Sequence, residues 1–133
     1  VLVDVVAPRA VPADTGLIAY EHCDVTDAER LDGVITAYAV DRIVHTAAML
    51  STGIRRSPVG GIEVNVVGTA NVLESARRHE IKRVVCASST TVAYTAFASH
   101  DTSPIEEDVS IKVISERPAS IYAATKLFAE PLT

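Results

Sequence analysis

The sequence has two cysteines, one methionine, no tryptophan and no long apolar run. Cys23 and Cys86 lack the spacing of a metal site, so we predict two reduced, mostly buried thiols and no metal centre. No apolar run approaches the ~20 residues that a membrane-spanning helix needs. Residues 1–7 are interrupted by Asp4 and have no basic region, so they do not form a signal peptide. These absences predict a cytoplasmic protein.

Positive charge is also scarce, since 12 lysines and arginines stand against 17 aspartates and glutamates, a net charge of −5. This balance argues against nucleic acid or an anionic membrane as the main partner. It does not exclude a small anionic ligand, which responds to the local field. Hydrophobic residues make up 48% of the 133 residues, enough for the core of one domain and too many for a disordered chain.

Short apolar segments alternate with segments of helical periodicity. The predicted strands are residues 1–4, 17–23, 42–47 and 83–87. The predicted helices are one that follows Thr26, one over 62–79 and one over 120–130, whereas 51–61 and 95–119 are predicted loops. This alternation is typical of a parallel sheet covered by helices, a doubly wound, Rossmann-like α/β fold.

Two of the predicted helices carry further signals. Thr26 and Glu29 have the spacing of a capping box, which predicts that the first helix begins at Thr26. The helix over 62–79 has an apolar stripe at helical spacing that predicts its buried face: Ile62, Val66, Thr69, Leu73 and Ala76.

Polar or small residues stand at the end of each predicted strand. They are Asp4, Asp24, the segment 45–48 and the pair Ser88-Ser89. Ligands of open α/β sheets bind at the carboxyl ends of the strands, so these positions are the candidate site. An acid at such an end can accept hydrogen bonds from a ribose, and small side chains such as those of Ala47 and Ala48 allow close approach of a cofactor.

A Tyr-x-x-x-Lys pair, Tyr122 and Lys126, lies in the last predicted helix. Residues at this spacing share one helix face. An ammonium group beside a phenol favours the phenolate, and a nearby serine can hold a substrate oxygen. These groups are the parts of a proton-transfer site that works beside a nicotinamide cofactor.

The strand-end segments and the Tyr-Lys pair together resemble the extended short-chain dehydrogenases/reductases, the NAD-dependent epimerase/dehydratase family. The matching stretches occur in the family's order and cover nearly the whole chain: 24–27, 45–48, 65–69, 71–74, 83–89, 103–107 and 122–127. They are specific for the family and not for a substrate.

The resemblance implies a set of cofactor contacts. Asp4 would hold the adenosine ribose and favour NAD over NADP. The other implied NAD-binding residues are Asp24, Val25, Thr46, Ala47, Ala48, Asn65, Tyr122 and Lys126.

The resemblance also implies the catalytic roles. Ser89 would bind the reacting oxygen, Tyr122 would be the general acid/base, and Lys126 would bind the nicotinamide ribose and favour the phenolate of Tyr122. The implied enzyme transfers hydride on a nucleotide-sugar. Two alternatives stay open: a reductase or dehydrogenase of a hydroxysteroid, an aldehyde or an amino-acid derivative, and a cofactor-binding relic without catalysis. The intact serine, tyrosine and lysine argue against the relic.

The sequence lacks two parts of the family's pattern: the first strand with its Gly-rich phosphate loop, and the substrate region beyond the Tyr-Lys helix. We therefore expect residues 1–133 to be a partial NAD(P)-binding Rossmann domain that is poorly stable and inactive alone. Without the first strand, either 1–4 pairs with 42–47 or two separate halves expose unpaired edges. The resemblance further implies a homodimer formed through the helices over 62–79 and 120–130.

Overall fold

The computed structural model describes residues 1–9, 16, 19–95 and 120–132. Within these ranges, strands and helices alternate along the chain, as the predicted α/β class requires. The strands are β1 (Leu2–Asp4), β2 (Tyr20–His22), β3 (Arg42–His45) and β4 (Arg83–Cys86). The α-helices are α1 (Ala28–Ala37), α2 (Ser51–Arg56), α3 (Pro58–Ile62), α4 (Gly68–Arg78) and α5 (Ile121–Ala129). A π-helical segment, Glu63–Val67, joins α3 to α4, and 3₁₀ turns cover Thr90–Thr95 and Glu130–Leu132.

The strands form two separate parallel pairs. In the first pair, β1 lies beside β2 with Leu2 opposite Tyr20; in the second, β3 lies beside β4 with Arg42 opposite Arg83. No ladder joins β1 to β3 in the described part of the chain. Of the two arrangements expected from the sequence, the structure therefore has the one with separate halves.

One hydrophobic core serves both strand pairs. Its buried residues come from the end of β2, from α1 and from α4: Cys23, Leu31, Val34, Ile35 and Val72. Side chains of three strands pack against this cluster, namely Val3 of β1, Ile43 of β3 and Val84 of β4. Helices α1 and α4 thus cover one face of both pairs, and this shared burial holds the pairs together in the absence of a ladder.

The other face of the second pair is open. Val44 is 73% exposed and Val85 is 51% exposed, whereas Ile43 and Val84, the next positions along the strands, face the core. This alternation follows from the two-residue period of a strand.

The first helix begins one residue later than predicted. Its N-cap is Asp27, whose Oδ1 accepts the backbone N–H of Arg30 at 2.9 Å. The predicted capping box is therefore wrong, because both the N–H and the hydroxyl of Thr26 bond to Oδ1 of Asp24. Aspartate is as good an N-cap as threonine, and it lies closer to the free N–H groups of the first turn.

Residues 51–56 and 58–62 are helical, with Ser57 between the two helices, so the predicted loop over 51–61 is wrong. The prolines and glycines that suggested a loop are compatible with helix here, because Pro58 occupies the first turn of α3, where its missing N–H costs nothing. The predicted helix over 62–79 is therefore only part of a longer helical run, 58–78.

The predicted apolar stripe of this run is wrong at its N-terminal end. Ile62 is 45% exposed, and the buried positions there are Gly61 and Asn65, each one residue earlier than predicted. A π turn holds one more residue than an α turn, so it shifts the buried face by one position. Beyond the π segment, Thr69 and Ala76 are buried as predicted, whereas Leu73 is half-buried and its neighbour Val72 is buried.

The bounds of the remaining elements lie close to the predicted ones. Strands β3 and β4 end at His45 and Cys86, slightly earlier than expected. The last helix is confirmed, and Ser120 caps it by accepting the N–H of Ala123 at 3.1 Å. Residues 17 and 18 and nearly all of the predicted loop 95–119 lie outside the described residues.

Candidate active site

The carboxyl ends of β3 and β4 lie side by side. His45 pairs with Cys86, and the N–H of Ala87 donates to the carbonyl of His45 at 3.0 Å. Two segments leave this edge together, the one that starts at Thr46 and the one that contains Ser89. Thr46 and Ala47 are exposed and Ala48 is half-buried, so the side chains that follow β3 at this edge are small and accessible.

Helix α5 is anchored at the same edge by Lys126. This lysine is only 8% exposed, and its Nζ donates to the carbonyl oxygen of Ala87 at 2.8 Å. Tyr122 lies one turn earlier on the helix and is half-buried. The structure therefore brings Lys126 to the segment that carries Ser89, whereas the roles of Tyr122, Lys126 and Ser89 stay predictions.

The two adjacent serines have different contacts. The hydroxyl of Ser88 donates to Oε1 of Glu130 at 2.5 Å, which ties it to the far end of α5. The oxygen of Ser89 accepts from the N–H of Thr91 at 3.3 Å and from the Thr91 hydroxyl at 3.0 Å. A hydroxyl that accepts in both contacts keeps its own proton for donation to a third oxygen. This geometry favours Ser89 over Ser88 as the residue that holds a substrate oxygen, and that role stays a prediction.

Asn65 is 3% exposed and lies in the middle of the π segment. Its amide does not face an open surface but bonds to both backbone groups of Met49 and to Thr125. Asn65 therefore lies beside the loop that follows β3, and the contacts of its amide are with the protein. The cofactor contact implied for Asn65 stays a prediction.

His45 is a buried histidine, 8% exposed, as expected for a structural residue. Its Nε2 lies 3.0 Å from the hydroxyl of Thr69, which itself donates to the carbonyl of Asn65 at 2.7 Å. Because Thr69 has a single proton, its oxygen must accept from Nε2–H of His45. Burial, and then the positive charge of Lys126, lower the pKa of His45 and favour its neutral form.

Asp4 and Asp24 end the two strands of the first pair, and both bond within their own turns. Oδ1 of Asp4 accepts the N–H of Val6 at 2.9 Å, and Oδ1 of Asp24 accepts the N–H of Thr26 at 2.9 Å. Each of these carboxylates is at least partly exposed, so a second oxygen is in reach of a ligand. Their cofactor roles stay predictions.

Val25 is held against the beginning of α4. Nδ2 of Asn71 donates to the carbonyl of Val25 at 2.9 Å, and a β-carbon at Gly68 would lie 2.4 Å from a methyl carbon of Val25. Only glycine fits this close approach. Gly68 is one turn from Asn65, so α4 places the end of β2 near the loop that follows β3.

Sequence reasoning missed Thr125 and Glu130. Thr125 is 4% exposed and Glu130 accepts from Ser88, so both belong to the surroundings of the site. The sequence gives no local signal for Thr125, because its partner Asn65 lies 60 residues away.

In the part of the chain that the structure describes, no helix has the length and apolar character to cross a membrane. The same residues contain no group of three or more histidine, cysteine, aspartate or glutamate side chains placed to hold a metal ion.

Open parallel α/β folds bind their ligands at the carboxyl ends of the strands, and the Tyr-Lys helix lies at that edge. The fold and this edge place the chain in the class of Rossmann-like α/β proteins. The family model described as "NAD dependent epimerase/dehydratase family" matches residues 3–133, and the chain belongs to this family.

The proteins that this chain resembles include epimerases and dehydrogenases. The chain is 31% identical over 117 residues to a UDP-glucose 4-epimerase of Halalkalibacterium halodurans, covering 86% of this chain and 32% of the relative. The crystal structure of L-threonine dehydrogenase from Phytophthora infestans has a TM-score of 0.71 at 33% identity, covering 85% of this chain and 34% of that one. The Thermus thermophilus UDP-glucose 4-epimerase, solved with NAD, has a TM-score of 0.66 at 26% identity, covering 91% and 36%. The chain thus spans about a third of the length of these relatives.

Proposed function

We propose that this chain carries the proton-transfer site of an NAD-dependent oxidoreductase of the epimerase/dehydratase type, which acts on a nucleotide-sugar by hydride transfer. The observation that supports this most is the hydrogen bond from Nζ of Lys126 to the carbonyl of Ala87 at 2.8 Å. It joins the Tyr-Lys helix to Ala87, two residues before Ser89, and so supports a shared site. A buried cation costs free energy unless it has partners, and the carbonyl of Ala87 is one such partner.

The residues present fit the nicotinamide end of NAD. Nζ of Lys126 has three donor hydrogens and gives one to Ala87, so hydrogens are left for the hydroxyls of a ribose. Ala47 and Ala48 have no side chain that would obstruct a cofactor. Bound NAD would supply the hydride acceptor and donor for the reaction. Lys126, Thr46, Ala47 and Ala48 would hold this end, with Asp4, Asp24 and Val25 at the adenosine end.

The catalytic roles follow from the same arrangement. Tyr122 would take the proton from a substrate hydroxyl as it becomes a carbonyl and return it in the reverse step. Lys126, one turn further along α5, would stabilise the phenolate form. The free proton of Ser89 would be donated to the reacting oxygen and hold it within reach of Tyr122.

The nature of the substrate rests on the relatives. A UDP-glucose 4-epimerase at 31% identity favours a nucleotide-sugar. An L-threonine dehydrogenase at 33% identity supports a second candidate, oxidation of an amino acid, which is one of the alternatives that the sequence left open. Both reactions begin with removal of a hydride and a proton from a secondary alcohol, so they use the same tyrosine, lysine and serine.

An assay of the product of the full reading frame that contains residues 1–133 separates the candidates. With NAD and UDP-glucose, an epimerase forms UDP-galactose without net NADH; with NAD and L-threonine, a dehydrogenase accumulates NADH. Ser89→Ala should reduce the rate strongly, whereas Ser88→Ala, its neighbour, should not. NAD binding without turnover of either substrate would contradict the nucleotide-sugar proposal and favour the relic.

A further inference from the structure

Thr125 joins two parts of the candidate site that lie far apart in the sequence. One part is the loop that follows β3, with Thr46, Ala47 and Ala48. The other is helix α5, with Tyr122 and Lys126. No role follows for Thr125 from the family pattern, and yet its side chain is among the most buried polar groups of the described residues, 4% exposed.

The first link of the connection is the amide of Asn65, which holds the backbone of Met49 from both sides. Oδ1 accepts the N–H of Met49 at 2.7 Å and Nδ2 donates to its carbonyl at 3.0 Å. A side-chain amide that pairs in this way replaces a backbone partner and fixes both the position and the direction of the loop. Met49 directly follows Ala48, so the fixed residue is the next one to the expected cofactor contacts.

The second link is between Asn65 and Thr125. The remaining hydrogen of Nδ2 points to the hydroxyl of Thr125 at 3.1 Å, across 60 residues of sequence. Thr125 in turn donates its proton to the carbonyl of Tyr122 at 2.8 Å. The amide of Asn65 then has its two donors and one acceptor in use, and the hydroxyl of Thr125 both accepts and donates. A network in which every group is paired is rigid, and loss of one member leaves the others unpaired.

The π turn makes this geometry available. Asn65 lies at the centre of the segment Glu63–Val67, where the backbone is wider than in an α-helix. Asn65 shares the buried face of α4, because Thr69 and Val72, four and seven residues further along, are buried as well. This segment thus places a polar amide between the loop and α5.

We propose that Thr125 is a positioning residue that, through Asn65, fixes the loop carrying Thr46, Ala47 and Ala48 relative to the helix carrying Tyr122 and Lys126. The catalytic meaning of this connection rests on the proposed function, whereas the connection itself does not. Its removal should let the loop open independently of α5.

The test uses the product of the full reading frame and three variants. Thr125→Val keeps the shape and removes the hydroxyl, Thr125→Ser keeps the hydroxyl, and Thr36→Val is the matched control. Thr36 is also a helical threonine that donates to a backbone carbonyl, here that of Asp32 at 2.9 Å, but it is exposed and distant in sequence from the site. Amide hydrogen exchange at Met49 reports directly on the bond to Asn65.

Thr125→Val should accelerate exchange at Met49 by about two- to tenfold, the effect of losing one ordinary hydrogen bond. Thr125→Ser and Thr36→Val should leave it unchanged, while the amides of α1 stay protected in all three variants. Equal exchange at Met49 in Thr125→Val and the unmodified protein would overturn the proposal. So would an equal acceleration at Leu31 and Met49, because that would indicate general destabilisation.

A measurement on the unmodified protein keeps the proposal testable if Thr125→Val does not fold. If the loop and α5 are one unit, the amides of Met49 and Ala129 should show the same opening free energy and the same dependence on denaturant. Much faster opening at Met49 would overturn the proposal. Coupled opening in a protein that shows no turnover would leave the connection intact and contradict the proposed function alone.

Discussion

The two parallel strand pairs hold the polar side chains at their carboxyl ends in different ways. At the first pair, Asp4 and Asp24 each bond to a backbone N–H two residues further along the chain. At the second pair, the contacts reach across the fold: Asn65 bonds to Met49 over 16 residues and Lys126 bonds to Ala87 over 39. At the first pair, the polar side chains are held by contacts within local turns. At the second pair, they are held by contacts with helices that are distant in sequence, so this arrangement forms only when the tertiary structure has formed.

This difference separates two ways of building a binding site. Local turns give the carboxylates of Asp4 and Asp24 a fixed direction without help from the rest of the protein. The long-range contacts of Asn65 and Lys126 give a rigid site that depends on tertiary structure. Substitutions at the first end should therefore have small, local effects, and substitutions at the second end large ones.

The largest expected effect is that of Tyr122→Phe at the second pair. Removal of a general acid/base should lower the rate by roughly 10²–10⁴-fold with little change in folding. Tyr38→Phe is the matched control near the first pair, since it removes a hydroxyl that donates to Glu21 at 2.7 Å far from the Tyr-Lys helix. The rates of both variants, measured with the substrate that the assay described above identifies, check this prediction. An unchanged rate in Tyr122→Phe would remove the tyrosine from the mechanism.

The next largest effect is that of Lys126→Met on NAD affinity. The variant keeps a long apolar side chain but loses the charged donor, which should weaken NAD binding by roughly 10- to 100-fold, as for one charge-assisted hydrogen bond. Lys82→Met, at an exposed lysine just before β4, removes the same charge away from the site and should bind NAD normally. Calorimetric titration measures both, and equal affinities would contradict the ribose role of Lys126.

A smaller effect is expected at Asp24, where two variants separate the turn from the ligand contact. Asp24→Asn keeps an oxygen for Thr26 and should leave the free energy of unfolding nearly unchanged, whereas Asp24→Ala should lower it by about 1 kcal/mol. If the second carboxylate oxygen accepts a hydrogen bond from the adenosine, both variants should weaken NAD binding, by roughly threefold to tenfold. Urea unfolding and NAD titration, done on the same two variants, give the two answers. Normal NAD affinity in Asp24→Asn would leave the residue with its turn role alone.

The smallest effect is the pH dependence that His45 contributes. Its pKa in the folded protein is lowered from 6.5 by burial and by Lys126. Below about pH 6.5 the unfolded chain therefore takes up a proton that the folded protein does not, and the free energy of unfolding falls as the pH falls. The slope for one proton is at most about 1.4 kcal/mol per pH unit. Urea unfolding at about pH 7.5 and about pH 5.5 should show a smaller slope in His45→Gln, and an equal slope would contradict the assignment.

The parts of the fold that follow from local patterns were predictable. The strand centres, the α/β order and the last helix were predicted from apolar runs and helical periodicity, whereas the Ser120 cap of that helix was not predicted. The helices within 51–62 were not predictable, because their glycines and Pro58 are typical of loops. Such residues do not show whether tertiary packing will favour a helix instead. The separate strand pairs were one of two arrangements expected from the sequence.

The candidate site likewise has residues that local sequence patterns predict and contacts that they do not predict. Tyr122 and Lys126 were predicted from their spacing and Ser89 from the family resemblance, and the structure brings Lys126 to the serine segment. The hydrogen bond from Asn65 to Thr125 has no local signal, because it joins residues 60 positions apart. The π turn that directs Asn65 inward also has no clear sequence pattern, and it made the predicted apolar stripe fail at Ile62.

The spacing of the two strand pairs along the chain has a consequence for the order of folding. Pairing Leu2 with Tyr20 closes a loop of 18 residues, whereas pairing Arg42 with Arg83 closes one of 41. The chain entropy lost on closure grows with the logarithm of loop length, so the second closure is harder by about 0.7 kcal/mol. The contact of Asn65 with Thr125 closes a longer loop still. If NAD binds at the proposed site, affinity for NAD should therefore appear later in refolding than the secondary structure of the first pair, and its time course would report completion of the fold.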